Sequence, residues 1–483
     1  MIELLREHRP FIVGALSVLL DIVVTGHIIL NRRDTRAAAG WISVVWFLPV
    51  LGAVLYALLG INRIRRRGRL LRRLGVDLRP SIRDSRTDWE LVSDSLPEPM
   101  GYMAALARVV GRLTARPLVG GNRLTALPNG DIAYPEMLAS IDSAERTVAM
   151  STFIFDNDEV GKRFAESLGD AVSRGVEVRV LVDAMGTRYS WPPITRELRR
   201  YGVTYARYMQ TVVPWRYHFL NLRNHRKLLV VDGEVGYTGG MNIRNGHVLK
   251  NAPRRPVQDL HFKVEGPVVG HLRQVFSEDW AFSTREVLDR DLWFPELKEK
   301  GSVIARGIAD GPGDDFEKAH LTLLGALATA QDSVTIVTPY FLPDRELISA
   351  LNVAALKGVS VRILLPRVNN QVLVKWASTA LLWQVLERGC RVYSTDGPFD
   401  HTKLMLVDGS WTFLGSANWD PRSLRLNFEF NLECYDRDFC ERMENMVASK
   451  LENAHEISKA EVDARSLPVK LRDGAARLLS PYL

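Results

Sequence analysis

HRKLLVVDGEVGYTGGMN, residues 225–242, and HTKLMLVDGSWTFLGSAN, residues 401–418, carry one spaced pattern twice, His-x-Lys-x4-Asp-x6-Gly-x-x-Asn. Its fixed positions are His225, Lys227, Asp232, Gly239 and Asn242 in the first stretch, and His401, Lys403, Asp408, Gly415 and Asn418 in the second. At average residue usage each position matches by chance roughly one time in twenty, so five together arise about once in several million starting points. Two such stretches in one chain are copies. LLVVD and LMLVD are apolar runs closing in Asp-Gly, the pattern of a strand entering a turn. Alternate side chains of a strand share a face, so His225 points the same way as Lys227, and His401 the same way as Lys403.

Repetition extends outward from the motifs. TVAMSTFIFDNDEVG from Thr147 parallels SVTIVTPYFLPDREL from Ser333, RGVEVRVLVD from Arg174 parallels KGVSVRILLP from Lys357, and LRRYGVTYARY from Leu198 parallels VLERGCRVYST from Val385. Order is kept while loop lengths drift, as in a diverged duplication rather than a short-period solenoid. Strand-like runs alternate with helical stretches such as GKRFAESLGDAVSRG and RELISALNVAALKG. This predicts an α/β fold of two pseudo-symmetric domains, at 121–300 and 301–483, around largely buried strands.

An imidazole beside an ammonium can attack or protonate a phosphate while neutralising its oxygens. Phosphodiester exchange needs a nucleophile on one side and an acid for the leaving oxygen on the other, and two copies supply both. A covalent route would place phosphorus on one imidazole before a second alcohol or water collects it. The small pairs Gly239-Gly240 and Gly415-Ser416 permit close backbone approach, and Asn242 and Asn418 can donate to phosphate oxygens. A single His-x-Lys pair on a strand is more often a solvated face. Two copies with matching Asp and Gly-x-x-Asn tails outweigh that reading.

Two apolar stretches precede the duplicated body, residues 11–30 and 40–61, each long enough to cross a hydrocarbon core of about 30 Å as a helix. Asp21 and His27 make the first the weaker span, since a mid-membrane Asp costs roughly 2.5–3.5 kcal/mol. A signal peptide or a buried core helix is the bland alternative. The first stretch is long for a signal segment and lacks a small-x-small cleavage site, which favours a two-span hairpin within residues 1–75, followed by a linker at 76–120. Arg6, Arg9 and seven arginines between Arg63 and Arg73 flank the pair, against Arg32, Arg33 and Arg36 between the spans. The positive-inside rule then puts flanks and body in the cytoplasm, with the Arg run suited to anionic headgroups or simply to stop-transfer.

The chain has 483 residues, three cysteines and a formal charge of +7. The few cysteines exclude a disulfide scaffold and fit a reducing compartment. There is no CxxC, HExxH or phosphate-loop motif, so no metal or nucleotide cofactor is expected. The positive charge suits nucleic acid or acidic lipid alike. The hairpin decides for lipid.

The doubled motif resembles that of the phospholipase D superfamily, and the resemblance covers both halves. It implies that the motifs meet at one metal-free site and that one histidine becomes a covalent phosphohistidine. His225 is implied as nucleophile and His401 as general acid, an order that reversal would also satisfy. The implied catalytic set is His225, Lys227, Asp232, His401, Lys403 and Asp408, the two Asp as supports, with Asn242 and Asn418 binding phosphate. Carboxylates downstream are implied to orient the histidines crosswise, Glu429 holding His225 and Asp259 holding His401. Gly240, where the common motif has Ser, departs from the pattern.

WFLPVLGAVLYALLG, FIFDNDEVG, HFKVEGP, VTPYFLPD, GSANWDPRSLRLNFEFNLECYD and RLLSPYL narrow the resemblance to the bacterial cardiolipin synthases of that superfamily. This implies transfer of a phosphatidyl group between two phosphatidylglycerol molecules at the bacterial inner membrane, with anionic phospholipids as partners and no nucleic acid. A phospholipase D-type hydrolase, or another phosphatidyltransferase acting on membrane phospholipids, is the alternative. Tyr340, Phe341, Pro343, Trp215, Tyr217 and Trp419 are candidate lining residues. Core packing is the favoured reading for Phe341, whereas Trp419 has the better claim. His218 and His261 lack the motif spacing and read as ordinary histidines.

Overall fold

Runs of Val, Ile, Leu and Thr build one continuous sheet of 15 strands. The structure is a computed structural model and describes residues 9–31, 35–60, 92, 101–208, 222–312 and 315–480. These fall into two compact units, the described residues up to 60 and those from 92 onward.

In the N-terminal unit, α1 (Arg9–Asn31) contains a continuous apolar stretch, Phe11–Asn31, of mean hydropathy 2.2 and mostly exposed. Its 21 residues rise about 31 Å, the thickness of a hydrocarbon core. The second expected span is not continuous. Helix α2 (Thr35–Phe47) stops before Pro49, whose ring removes a donor and disfavours the helical conformation in the residue before it, and Val50 turns to φ 65°. Helix resumes at Leu51–Leu55 and widens to a π-turn at Tyr56–Gly60. Among the described residues, one helix is therefore long and apolar enough to cross a membrane, and it is the one that contains Asp21. Its polar groups turn inward: Asp21 is buried, His27 Nδ1 lies 2.9 Å from the Tyr56 hydroxyl, and Trp46 Nε1 donates to Thr25 Oγ1 at 3.1 Å.

The larger unit is built twice. Strands β1 (Val119–Pro128), β2 (Thr147–Thr152), β3 (Glu177–Asp183), β4 (Thr204–Tyr208), β5 (Leu228–Val231), β6 (Val235–Gly239) and β8 (Leu260–Glu265) lie in the order β1-β8-β6-β5-β2-β3-β4. The short β7 (Val257–Gln258) stands apart. In the second half β9 (Val303–Asp310), β10 (Ser333–Val337), β11 (Ser360–Pro366), β12 (Arg391–Thr395), β14 (Leu404–Val407), β15 (Trp411–Gly415) and β16 (Glu429–Tyr435) repeat that order as β9-β16-β15-β14-β10-β11-β12, and β17 (His455–Ile457) extends the edge. The halves join through antiparallel β1 and β9, and β13 (Phe399–Asp400) pairs in parallel with β7. The duplication reaches backbone angles. Gly239 and Gly415 both have φ 149°, Asp232 and Asp408 have φ 51° and 50°.

Helices cover both faces. On one, α6 (Val269–Thr284) and α10 (Arg437–Leu451) share a core with strands of both halves, through Val275, Phe276, Phe439 and Met443. On the other, α4 (Asn129–Asp142) and α5 (Glu159–Ser173) cover the first half, and α7 (Lys318–Thr329) and α8 (Arg345–Leu356) cover the second. The interval 76–120, expected as linker, includes α3 (Met103–Thr114), which belongs to the second core through Met103, Leu106, Ala107 and Val110. That three-and-four spacing is an amphipathic helix, not a linker. The buried guanidinium of Arg306 bonds the carbonyls of Ala107 and Arg116 at 2.7 and 3.1 Å while pairing with Glu433 at 2.6 Å.

Candidate active site

Each motif histidine sits just before a short strand and is held by the other half of the molecule. The His225 amide donates to the Phe428 carbonyl at 2.9 Å, beside Glu429; the His401 amide donates to the Gln258 carbonyl at 2.7 Å, beside Asp259. The side chains repeat this crossing. His225 Nδ1 meets Glu429 Oε2 at 2.9 Å and Oε1 at 3.0 Å, and His401 Nδ1 meets Asp259 Oδ2 at 2.8 Å. A carboxylate on Nδ1 fixes the tautomer with Nδ1–H donated, leaving Nε2 with the free lone pair. Lys227 Nζ donates to the carbonyl of His225 at 2.6 Å, and Lys403 Nζ does the same to His401.

The two carboxylates occupy equivalent strand positions in unequal surroundings. Glu429 accepts Ser416 Oγ at 2.5 Å and Asn427 Nδ2 at 3.1 Å, whereas Asp259 accepts the Leu260 amide at 2.8 Å. Gly240 replaces Ser because a Cβ there would lie 2.4 Å from Asp259 Oδ1. Burial tends to raise both acids. For Glu429 the nearby His225 and Lys227, with the hydrogen bonds from His225 and Ser416, outweigh it and hold the group below the usual range; Asp259 stays raised.

Burial also pushes the cations down. Lys227 falls to about 7, burial outweighing Glu429, and Lys403 to about 8, burial outweighing Asp259 and Glu429. Burial lowers His225 despite Glu429. It lowers His401 further, with Lys403, Lys227 and His225 adding to the effect. Lys227 and Lys403 both act on each histidine, so the four side chains lie close enough to depress one another's proton affinity. An anion placed among them would offset that repulsion and raise the proton affinity of the imidazoles.

Other expected site residues lie elsewhere. Asp232 accepts the amides of Glu145, Arg146 and Thr147 at 3.0, 2.7 and 2.8 Å. Asp408 accepts those of Gln331, Asp332 and Ser333 at 2.8, 2.8 and 2.7 Å, and the Tyr102 hydroxyl at 2.6 Å. Both stand at the far ends of β5 and β14, roughly 20 Å from the histidines by strand rise, and clamp the turns there. Asn242 Oδ1 accepts the Ile154 amide at 3.1 Å, and Asn418 Nδ2 donates to Ser423 Oγ at 3.1 Å, so each also braces its own loop.

Several supports carry no local signal in sequence. Arg226, between the first His and Lys, pairs with Asp279 of α6 at 2.6 Å and donates to the Glu429 carbonyl at 3.0 Å, while Asn224 Nδ2 reaches Asp279 at 3.2 Å. In the second half the polarity is inverted: Asp400 pairs with Lys450 of α10. Asp183, buried and pushed up to about 6 by that burial, accepts the Asn224 amide at 2.8 Å.

Among the aromatic candidates, Tyr340 lies 6.3 Å from the His401 ring; on the other side Phe153, next to the repeat-equivalent Ile154, lies 5.2 Å from the His225 ring. Phe341 is core, as expected. Trp419 is core too, contrary to expectation, because it packs on Phe341 at 6.3 Å and its carbonyl accepts the Leu342 amide. Pro343 is buried, as is His261, which burial lowers to about 4. Trp215, Tyr217 and His218 lie outside the described residues, as do the arginines from Arg63 to Arg73. Among the described residues the one group with cation-ligand spacing is His320, Asp344 and Glu346; Arg425 already reaches its Asp344 carboxylate at 3.0 Å.

A duplicated α/β body whose halves exchange carboxylates to orient a pair of lysine-flanked histidines defines the class of two-histidine phosphoryl-transfer proteins. The family model described as "Cardiolipin synthase, PLD-like domain" matches residues 137–280 and 323–451, and "Phospholipase_D-nuclease N-terminal" matches 19–60. Cardiolipin synthase A of Pseudomonas fluorescens Pf-5 is 32% identical over 479 residues, 98% of this chain and 99% of that protein. Cardiolipin synthase A of Pseudomonas putida GB-1 is 31% identical over 481 residues, 99% of each. The fold is also that of phosphatidylserine synthase of Haemophilus influenzae Rd KW20, with TM-score 0.61 at 14% identity over 78% of this chain and all of the other. The chain belongs to the phospholipase D-like cardiolipin synthase family. Its membership and its apolar α1 make it a membrane-associated enzyme.

Proposed function

We propose that this chain joins two phosphatidylglycerol molecules into cardiolipin and free glycerol. The observation that supports this most is the crossed pair of histidine–carboxylate contacts beside Lys227 and Lys403, in a full-length relative of cardiolipin synthases. His225 Nε2 attacks the phosphorus of the first lipid, and the bond to the glycerol oxygen breaks as His401 gives that oxygen a proton. The phosphatidyl group is then on His225, whose positive ring the ionised Glu429 stabilises. His401, now neutral, removes the proton from the terminal hydroxyl of a second phosphatidylglycerol. That oxygen attacks phosphorus, the P–N bond breaks, and cardiolipin leaves. One phosphodiester replaces another, so no energy donor is consumed. Lys227 and Lys403 neutralise the oxygens of the five-coordinate transition state.

Glu429, held ionised by His225 and Lys227 with help from the Ser416 hydroxyl, favours His225 over His401 as the covalent site. The two N-terminal segments form a hairpin in the bacterial inner membrane, α1 crossing it and the second segment, broken at Pro49, returning beside it; the arginine distribution supports a body on the cytoplasmic side.

Purified protein given labelled phosphatidylglycerol tests the reading. Cardiolipin with equimolar glycerol is the expected result. Phosphatidic acid alone would replace it with a hydrolase of the same superfamily.

A further inference from the structure

Helix α11 (Leu467–Leu478) is amphipathic on two faces. Its inward face is Asp473 and Ala476, both buried; Arg465 pairs with Asp473 at 2.5 Å, and the Arg472 guanidinium lies 4.3 Å over the Trp376 ring. The opposite face should be polar in a water-facing helix. Instead it carries Leu467, Leu471 and Leu478, which are 69, 65 and 75% exposed. Lys470 and Arg477 fall along one border of this stripe. The neighbouring α9 (Val372–Thr379) packs on α11 through Val374, Ala377 and Ala476, and leaves Val372 and Leu373 exposed at its start.

The buried face of α11, opposite the leucine stripe, is linked to the histidine pair by packing. Tyr340 packs in the same cluster as Val374 and Ala476, its hydroxyl donates to Asn370 Oδ1 at 2.7 Å just before α9, and its ring meets His401.

We propose that the leucine stripe of α11, with the start of α9, is a docking surface for an anionic phospholipid bilayer, holding the two-histidine site at the membrane–water interface. A lengthwise apolar stripe bordered by cations is the pattern of a helix lying in an interface, with leucines in the acyl boundary and Lys470 and Arg477 at the headgroups. A second copy fits less well. In a helix pair that used Leu467, Leu471 and Leu478 at the seam, position 474 would be the next knob, and Gly474 has none to offer. The docking does not depend on which phosphodiester the site converts.

Full-length protein in vesicles of phosphatidylglycerol and phosphatidylethanolamine provides the test. The three native cysteines are buried, so a polarity-sensitive fluorophore attaches selectively to Leu471→Cys, or to Glu166→Cys on the exposed side of α5 as reference. Spin-labelled lipids should quench the probe at 471 and leave that at 166 unchanged. Equal, weak quenching at both positions would overturn the proposal. So would a probe at 471 that is shielded without quenching while Leu471→Cys cross-links between copies, which would assign the stripe to self-association. The variant Leu467→Ser/Leu471→Ser/Leu478→Ser changes only exposed side chains. Its turnover of long-chain phosphatidylglycerol in vesicles should fall roughly tenfold with turnover of monomeric short-chain lipid intact. An equal loss on both substrates would also refute docking. Quenching is read without turnover, so failure of the assigned reaction leaves this test standing.

Discussion

Glu429 and Asp259 occupy one position of the repeat, and their neighbours make them unequal acids. Glu429→Gln removes the counter-charge to a phosphorylated imidazole and should lower the rate of adduct formation roughly 10³-fold, measured by rapid quench with labelled lipid. Asp259→Asn should instead slow proton transfer through His401. His225→Ala should give no covalent lipid adduct, whereas His401→Ala should let some accumulate; an adduct persisting without His225 reverses the order. The lysines set a pH dependence with a definite sign. Lys227 and Lys403 lose their protons through about 7 and about 8, so kcat/KM for the free enzyme should decline as pH rises through that interval; a flat profile to pH 10 would remove them from phosphate binding. The motif histidines and lysines were legible because a spacing repeated twice is a local property of the sequence. Their carboxylates stand 204 and 142 residues away, and no spacing rule reaches so far; only the family resemblance pointed to them.

At the scale of elements, the departure at Gly240 has a steric cause. Gly240→Ala would drive a methyl into Asp259 and should abolish activity with little change in far-UV circular dichroism. Asp232→Ala removes the acceptor of three amides at the far end of β5, one exposed and two part-buried, and should cost roughly 2 kcal/mol in denaturant titrations, with the folded fraction still forming adduct. The duplication and the alternation of strands and helices could be read from paired segments because both copies kept their apolar runs. The Arg226–Asp279 and Asp400–Lys450 pairs could not, since each joins a motif strand to a distant helix and appears locally as an ordinary charged residue. Pro49 was in plain view inside the second apolar stretch; counting apolar residues alone passes over what one missing amide does to a helix.

On the scale of the whole molecule, the halves are held by a shared sheet, by the α6 and α10 core and by two histidine–carboxylate contacts, not by the peptide between them. Cutting the exposed segment near Lys298 and Glu299 with an engineered protease site should therefore leave adduct formation intact, as gel analysis of labelled, nicked protein would reveal. Loss of activity on nicking would mean that the connection itself is needed. The crossing of carboxylates also has a consequence for descent. Neither repeat retains a complete histidine centre, so neither can be freed to drift while its twin carries the reaction, as happens after most gene duplications. The chain inherits like an obligate heterodimer encoded by one gene, in which a change at Ser416 or Gly240 is selected for its effect on a histidine that belongs to the other repeat.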